Sequence, residues 1–137
     1  MMLATLTVLA DFGLVVLIWI VQLIIYPSFH VVSKSDFTAW HKKYMSLISY
    51  LVVPLMFAQV VFHAVGLYLD ASALKIVTAL FIAGAWVTTF TLSVPCHHAL
   101  ASEGQSTAVI RRLIRTNWLR TICWSIVFVL SLIGLNV

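Results

Sequence analysis

Apolar and polar positions do not alternate along this chain; they come in blocks. Residues 3–26, 44–69, 74–94 and 117–135 are almost wholly apolar. Each block is close to the ~20 residues that carry a helix across ~30 Å of hydrocarbon. In lipid only helices and closed barrels satisfy their backbone, and barrel strands would alternate. The blocks therefore predict an all-α, four-transmembrane-helix bundle occupying 1–137 as a single domain.

Two spans are predicted to begin as interfacial helices before they enter the membrane. Ahead of the second, Ser35 is a candidate N-cap and Asp36 stands in the first turn. Phe37, Trp40, His41 and Tyr44 then share a face at i, i+3, i+4, i+7, and Lys42 and Lys43 point elsewhere. Ahead of the fourth, Ser106 or Thr107 can cap a helix in which Val109, Ile110, Leu113 and Ile114 form an apolar stripe. Arg111, Arg112 and Arg115 of that turn can reach water or lipid phosphate. Pro54, inside the second span, is a candidate kink.

Composition sharpens the class. The chain is 63% hydrophobic and 9% charged, against about 25% charged residues in a soluble domain. Met1–Tyr26 lacks the basic start, short apolar core and small-residue site of a cleaved signal peptide and is read as a span. The two cysteines form no disulfide framework. The net charge of +4 is explained by position and does not point to nucleic acid. Lys34, Lys42, Lys43, Arg111, Arg112, Arg115 and Arg120 lie in or beside connections one and three, and only Lys75 lies on the other side. The positive-inside rule then places both termini outside and connections one and three in the cytoplasm.

Polar groups inside the spans are costly, so the direction they face is informative. Asp11 and Gln22 share a face of the first span, with Tyr26 close to it. Gln59, His63 and Gly66 share one on the second, which Ser49, Met56 and His41 extend. Asn117, Arg120, Thr121 and Trp124 share one on the fourth. The third offers Thr89 and Ala85, with Ala79, Ala83 and Gly84 allowing close approach. Asp11 and His63 both lie roughly 10 Å from the outer ends of their spans, at ~1.5 Å per residue, and are expected to pair as a structural lock.

A second polar level lies at the cytoplasmic face: Tyr26, His30, His41, Tyr44, Cys96, His97, His98, Asn117 and Arg120. His41 and His98 are candidate proton carriers. Arg120, with no carboxylate at its depth, needs an anion or a carbonyl oxygen; with Asn117 it could hold a developing oxyanion. Trp19, Trp86 and Trp124 lie beneath and, with Tyr26 and Tyr44, are candidate walls of a chamber for a flat lipophilic molecule. Against this stands filling of the bundle core by large rings. His30, His41, Cys96, His97 and His98 are an alternative ligand set for haem or a transition metal. Their spacing is weak evidence, and interfacial histidines also cap helix ends and touch headgroups. No nucleotide-binding motif is present.

The stretches "IIYPSF", "WHKKY", "VVPLM", "WVTTF", "VPCH" and "NWLRT" resemble a family of small, uncharacterised bacterial four-span membrane proteins. That resemblance implies a bacterial inner-membrane location and brings no activity. More distantly, Pro95, Leu100, Asn117, Trp118 and Arg120 are similar to the second half of the anthrone oxygenase-like membrane proteins. This chain departs from them by carrying His97 or His98 where an Asn is expected. That likeness implies oxygenation of a polycyclic phenolic ketone without an evident cofactor motif. Three readings follow: a small oxidoreductase acting on a lipophilic aromatic or quinone-like molecule from the bilayer, a haem- or metal-binding membrane protein, and a non-enzymatic scaffold, as a homo-oligomer or a subunit of a membrane complex.

Overall fold

The computed structural model describes residues 1–135. Four long helices, α1 (Met2–Ser28), α2 (Phe37–Leu69), α3 (Ala73–Glu103) and α4 (Thr107–Gly134), run up and down. Each is long and apolar enough to cross a membrane. This is a polytopic membrane four-helix bundle. α4 packs against α1 and α3, α1 against α2, and the α2–α3 seam is the most sparsely packed side.

The helices overrun the apolar blocks at one end. α2 starts at Phe37 and α4 at Thr107, so both interfacial extensions are continuous with their spans. α3 runs on past Pro95 to Glu103, so "PCHHAL" is helical. Ser106 caps α4 by accepting from the Val109 amide at 3.4 Å. The α2 cap differs from the sequence expectation. Asp36 takes the N-cap position without a side-chain cap bond. Ser33, not Ser35, accepts the Asp36 amide at 3.3 Å. Ser33 lies four residues before Phe37 and its carbonyl already accepts the first helical amide, so the turn begins earlier than Ser35.

The extensions enclose a core of their own. Phe29, Phe37, Leu100, Ile110 and Leu113 are fully buried there. Gln105 ties the two connections together by donating to the carbonyls of Phe29 and Val32, each at 2.8 Å. Gly104 turns the chain into α4 at φ +84°, a backbone shape that a Cβ would strain.

Two helices widen locally. α1 has a π-helical turn at Val21–Ile25 and α3 one at Thr89–Ser93. Each precedes a proline, Pro27 and Pro95. A proline ring clashes with the carbonyl four residues earlier. Those carbonyls belong to Leu23 and Thr91, inside the wide turns, which make the room.

Candidate functional site

The buried polar side chains form two clusters at different depths. The outer one centres on Asp11, fully buried on α1. Its carboxylate accepts from Gln59 Nε2 at 2.6 Å and from Ser131 Oγ at 2.6 Å, and lies 2.9 Å from His63 Nε2. The structure thus brings Asp11 and His63 together and adds two donors. Trp124 Nε1 donates to Gln59 Oε1 at 3.1 Å, linking α4 to α2 across the bundle. In lipid the apolar faces give no net drive to associate, so bonds of this kind and close packing do that work.

The inner cluster takes one or more side chains from every helix. Arg120 of α4 is buried. Its Nε and Nη2 donate to Asn117 Oδ1 at 2.9 and 2.6 Å. Nη2 also donates to Tyr26 Oη at 3.2 Å, and Nη1 to Thr89 Oγ1 at 3.4 Å. All these acceptors are neutral. Among the described residues the ion pairs are His63–Asp11 and Lys75–Asp70, so Arg120 has no carboxylate partner. Asn117 is held in turn by Gln22 Oε1, which accepts from its Nδ2 at 2.8 Å, while Gln22 Nε2 donates to the Ile114 carbonyl at 3.1 Å.

Tyr26 continues the network toward the other two helices. Its Oη lies 3.0 Å from His97 Nε2, and His97 Nδ1 lies 3.0 Å from His41 Nε2. Rings of Phe29, Phe37 and Tyr44 surround the imidazoles, with Phe37 stacked on His41 at 5.5 Å between centroids. His41 Nδ1 is buried without a hydrogen-bond partner among the described residues.

A cavity of about 230 Å³ lies against this network. Tyr26, His97, Arg120, Thr89 and Ser93 make its polar pole, and Met56, Trp86, Trp124 and Tyr44 are among its other walls. Val53, Phe57 and Phe90 also line it and are exposed on the outside of the bundle. It therefore opens sideways between α2 and α3, into what the bilayer occupies. A second hollow of about 270 Å³ along the same seam shares Trp86 as a wall.

The expected residues fall into three groups. Tyr26, Tyr44, Trp86, Trp124 and Arg120 line the cavity, and Asn117 and His41 stand behind it. His98 does not join them; it is exposed on the outside of α3, and His97 takes the inward position. Trp19 is not a wall either. It is 39% exposed, donates to Ser125 Oγ at 3.1 Å and meets Trp118 edge-on. Sequence reasoning missed three supporting groups: Gln22 as the clamp on Asn117, Ser131 on Asp11, and Ser93 at the polar pole. Gln22 lay on the recognised stripe of α1. Serines in apolar runs carry no such signal, because a serine can return its hydroxyl to its own helix.

The residues named as an alternative ligand set do not converge. No three of His, Cys, Asp or Glu among the described residues are grouped to hold a metal ion. His30 and His98 are exposed, and His41 and His97 spend ring nitrogens on each other. The arrangement is a hydrogen-bonded pair of imidazoles, not a three- or four-ligand metal site. Compared with protein-family models, curated proteins and solved structures, the chain gives no match.

Proposed function

We propose that the cavity binds a lipophilic molecule with an oxygen head, aromatic or quinone-like, and that the protein acts on that oxygen as a small membrane oxidoreductase. Arg120 and Tyr26 hold the oxygen, Asn117 fixes the guanidinium, and His97, in the place expected for His98, moves the proton. Electrons pass to a co-reactant, dioxygen or a second redox carrier; the residues here manage the oxygen and its hydrogen. The distant likeness to anthrone oxygenase-like proteins is in keeping with this substrate class, as analogy only.

One observation carries the reading: a buried guanidinium at the polar end of an otherwise apolar cavity, bonded only to neutral oxygens. An unpaired buried charge costs several kcal/mol. A scaffold gains nothing from that cost, whereas a ligand oxygen that carries or develops negative charge offsets it. The guanidinium has five N–H donors. Four are used, so one Nη1 hydrogen remains to meet a ligand. The size also fits. Drug-sized sites have about 300–1,000 Å³, so 230 Å³ takes a ring-sized head, and an aliphatic tail leaves through the α2–α3 seam.

Binding tests this directly. Trp86 and Trp124 line the cavity, so a short-tailed quinone or a naphthol should quench tryptophan fluorescence saturably in lipid nanodiscs. A hydrogen bond to a charged group is worth about 1.5–3 kcal/mol. Arg120→Gln should therefore weaken binding by roughly 10- to 100-fold. Equal binding by the variant, or no saturable binding of either probe class, would refute the proposal.

A further inference from the structure

The hydrogen bonds from Tyr26 through His97 to His41 can run in two directions, and the count of unpaired atoms decides between them. A guanidinium is a donor only. It donates to one lone pair of Tyr26 Oη, and the hydroxyl hydrogen is then free to point at His97 Nε2. A neutral imidazole carries one hydrogen. With Nε2 accepting, His97 holds its hydrogen on Nδ1 and donates to His41 Nε2. His41 then holds its hydrogen on Nδ1, the buried atom without a partner. In this polarity the chain leaves one orphan, the His41 N–H. Reversed, it leaves two: a Tyr26 hydroxyl hydrogen with no protein acceptor and a bare His41 Nδ1. Buried orphans cost about 1–3 kcal/mol each, so the first polarity is the resting one.

A chain of this polarity can take a proton from the cavity end but has none ready to give. We infer that Tyr26, His97 and His41 form a proton exit for a phenol or quinol, leaving the head group as an oxyanion against Arg120. The ligand O–H bond breaks and Tyr26 Oη gains that hydrogen. The original Tyr26 hydrogen passes to His97 Nε2. The His97 Nδ1 hydrogen passes to His41 Nε2, and the His41 Nδ1 hydrogen leaves to water. No electron moves. The hydrogen now on Tyr26 points back at the ligand oxyanion, and Arg120 acquires the counter-charge that no carboxylate among the described residues supplies.

Release is at the end of the bundle where α2 begins. His41 is fully buried under the rings of Phe29 and Phe37, so the last step passes those rings. Tyr44 of α2, Cys96 and His98 of α3 and Arg120 of α4 are the other ionisable groups near the two imidazoles and Tyr26. No carboxylate pairs with either imidazole among the described residues. The proton therefore has no buried resting place beyond His41. His41 is a relay residue that acts through His97, not one that touches the ligand.

The substrate class rests on the binding site proposed above, but the polarity can be measured in the empty protein. The full chain is labelled with ¹⁵N-histidine in nanodiscs. Exposed His30 and His98 are replaced, His30→Gln and His98→Gln, which leaves His41, His63 and His97, and the His63 signal is identified by its loss in His63→Leu. His41 and His97 should both appear as neutral rings with hydrogen on Nδ1 and bare Nε2. A hydrogen on Nε2 of either ring overturns the inference, whatever the protein binds. The second arm uses an alkyl-tailed nitrophenol, whose phenolate is coloured, mixed rapidly with the protein below the probe's own pKa. Phenolate should appear in the bound fraction. His41→Phe should slow its appearance on the order of 100-fold, the lower range for a positioned proton carrier. An unchanged rate in that variant also overturns the inference. A probe that does not bind at all counts against the binding site instead, and the histidine spectrum still decides the polarity.

Discussion

Replacing Asp11 by leucine removes an acceptor shared by three donors on two neighbouring helices, Gln59 and His63 of α2 and Ser131 of α4, at 2.6, 2.9 and 2.6 Å. Interhelical side-chain bonds in membranes average about 0.6 kcal/mol and reach about 1.7. Three of them give about 2–5 kcal/mol. Breaking a buried charged pair costs about 3–5 kcal/mol when the partner stays buried. His63 keeps 12% of its side chain exposed and lines a hollow of about 150 Å³ open at this end, so it can turn toward polar surroundings; Gln59 cannot. Asp11→Leu is therefore expected to cost about 3 kcal/mol, the lower end of that range. His63→Leu removes one bond and should cost about 1–2 kcal/mol. The double variant has no unpaired member of that pair, so its loss should fall short of the sum by about 1 kcal/mol or more. Unfolding by sodium dodecyl sulphate in mixed micelles, read by tryptophan fluorescence, measures all three. Additivity within about 0.5 kcal/mol, or a loss under about 1 kcal/mol for Asp11→Leu alone, would refute a shared bond of this strength.

Three further outcomes are expected. Gly104→Ala, at φ +84°, should lower stability by about 1–3 kcal/mol, visible as a reduced melting temperature in detergent; an unchanged midpoint would count against the turn. Trp19→Leu should leave quinone or naphthol affinity within about twofold, because that ring lies outside the cavity lining; a loss like that of Arg120→Gln, more than tenfold, would put Trp19 back in the wall. Tags on both termini should lie on the non-cytoplasmic side of the membrane, given seven basic residues against one across the connections; either tag found in the cytoplasm reverses the orientation.

The bundle was legible because lipid imposes it: an apolar block of the right length has few other solutions. The polar stripes were legible for the same reason. Asp11, Gln22, Gln59, Asn117, Arg120 and Thr121 are all buried, and a polar group in a span has few places to face but inward. Apolar residues carry no such information. The outside of the bundle is as greasy as the inside, so depth alone could not separate Trp19, which faces out, from Trp86 and Trp124, which line the cavity. The core formed by Phe29, Phe37, Leu100, Ile110 and Leu113 was half visible, as stripes on two extensions. The run of α3 to Glu103 was hidden by Pro95, which reads as a stop.

The choice between His97 and His98 turns on one extra residue. A regular helix advances about 100° per residue. Ala85 is fully buried and marks the inner face of α3. Counted from it without interruption, His97 stands about 120° away in one direction and His98 about 140° in the other. Neither is favoured. The wide turn at Thr89–Ser93 absorbs one residue, so each later position shifts back by about 100°. His97 then comes within about 20° of Ala85 and His98 swings to about 120°, which matches their burial. Pro95 is what the wide turn accommodates, and it stands two residues before the histidine that the turn aims. On α1 the same pairing recurs, with Val21–Ile25 ahead of Pro27 and Tyr26 between them. The two side chains that meet at 3.0 Å are thus each placed by a proline and the π-helical turn before it. The phase of the buried polar face is carried by these backbone features and not by the hydrophobic period.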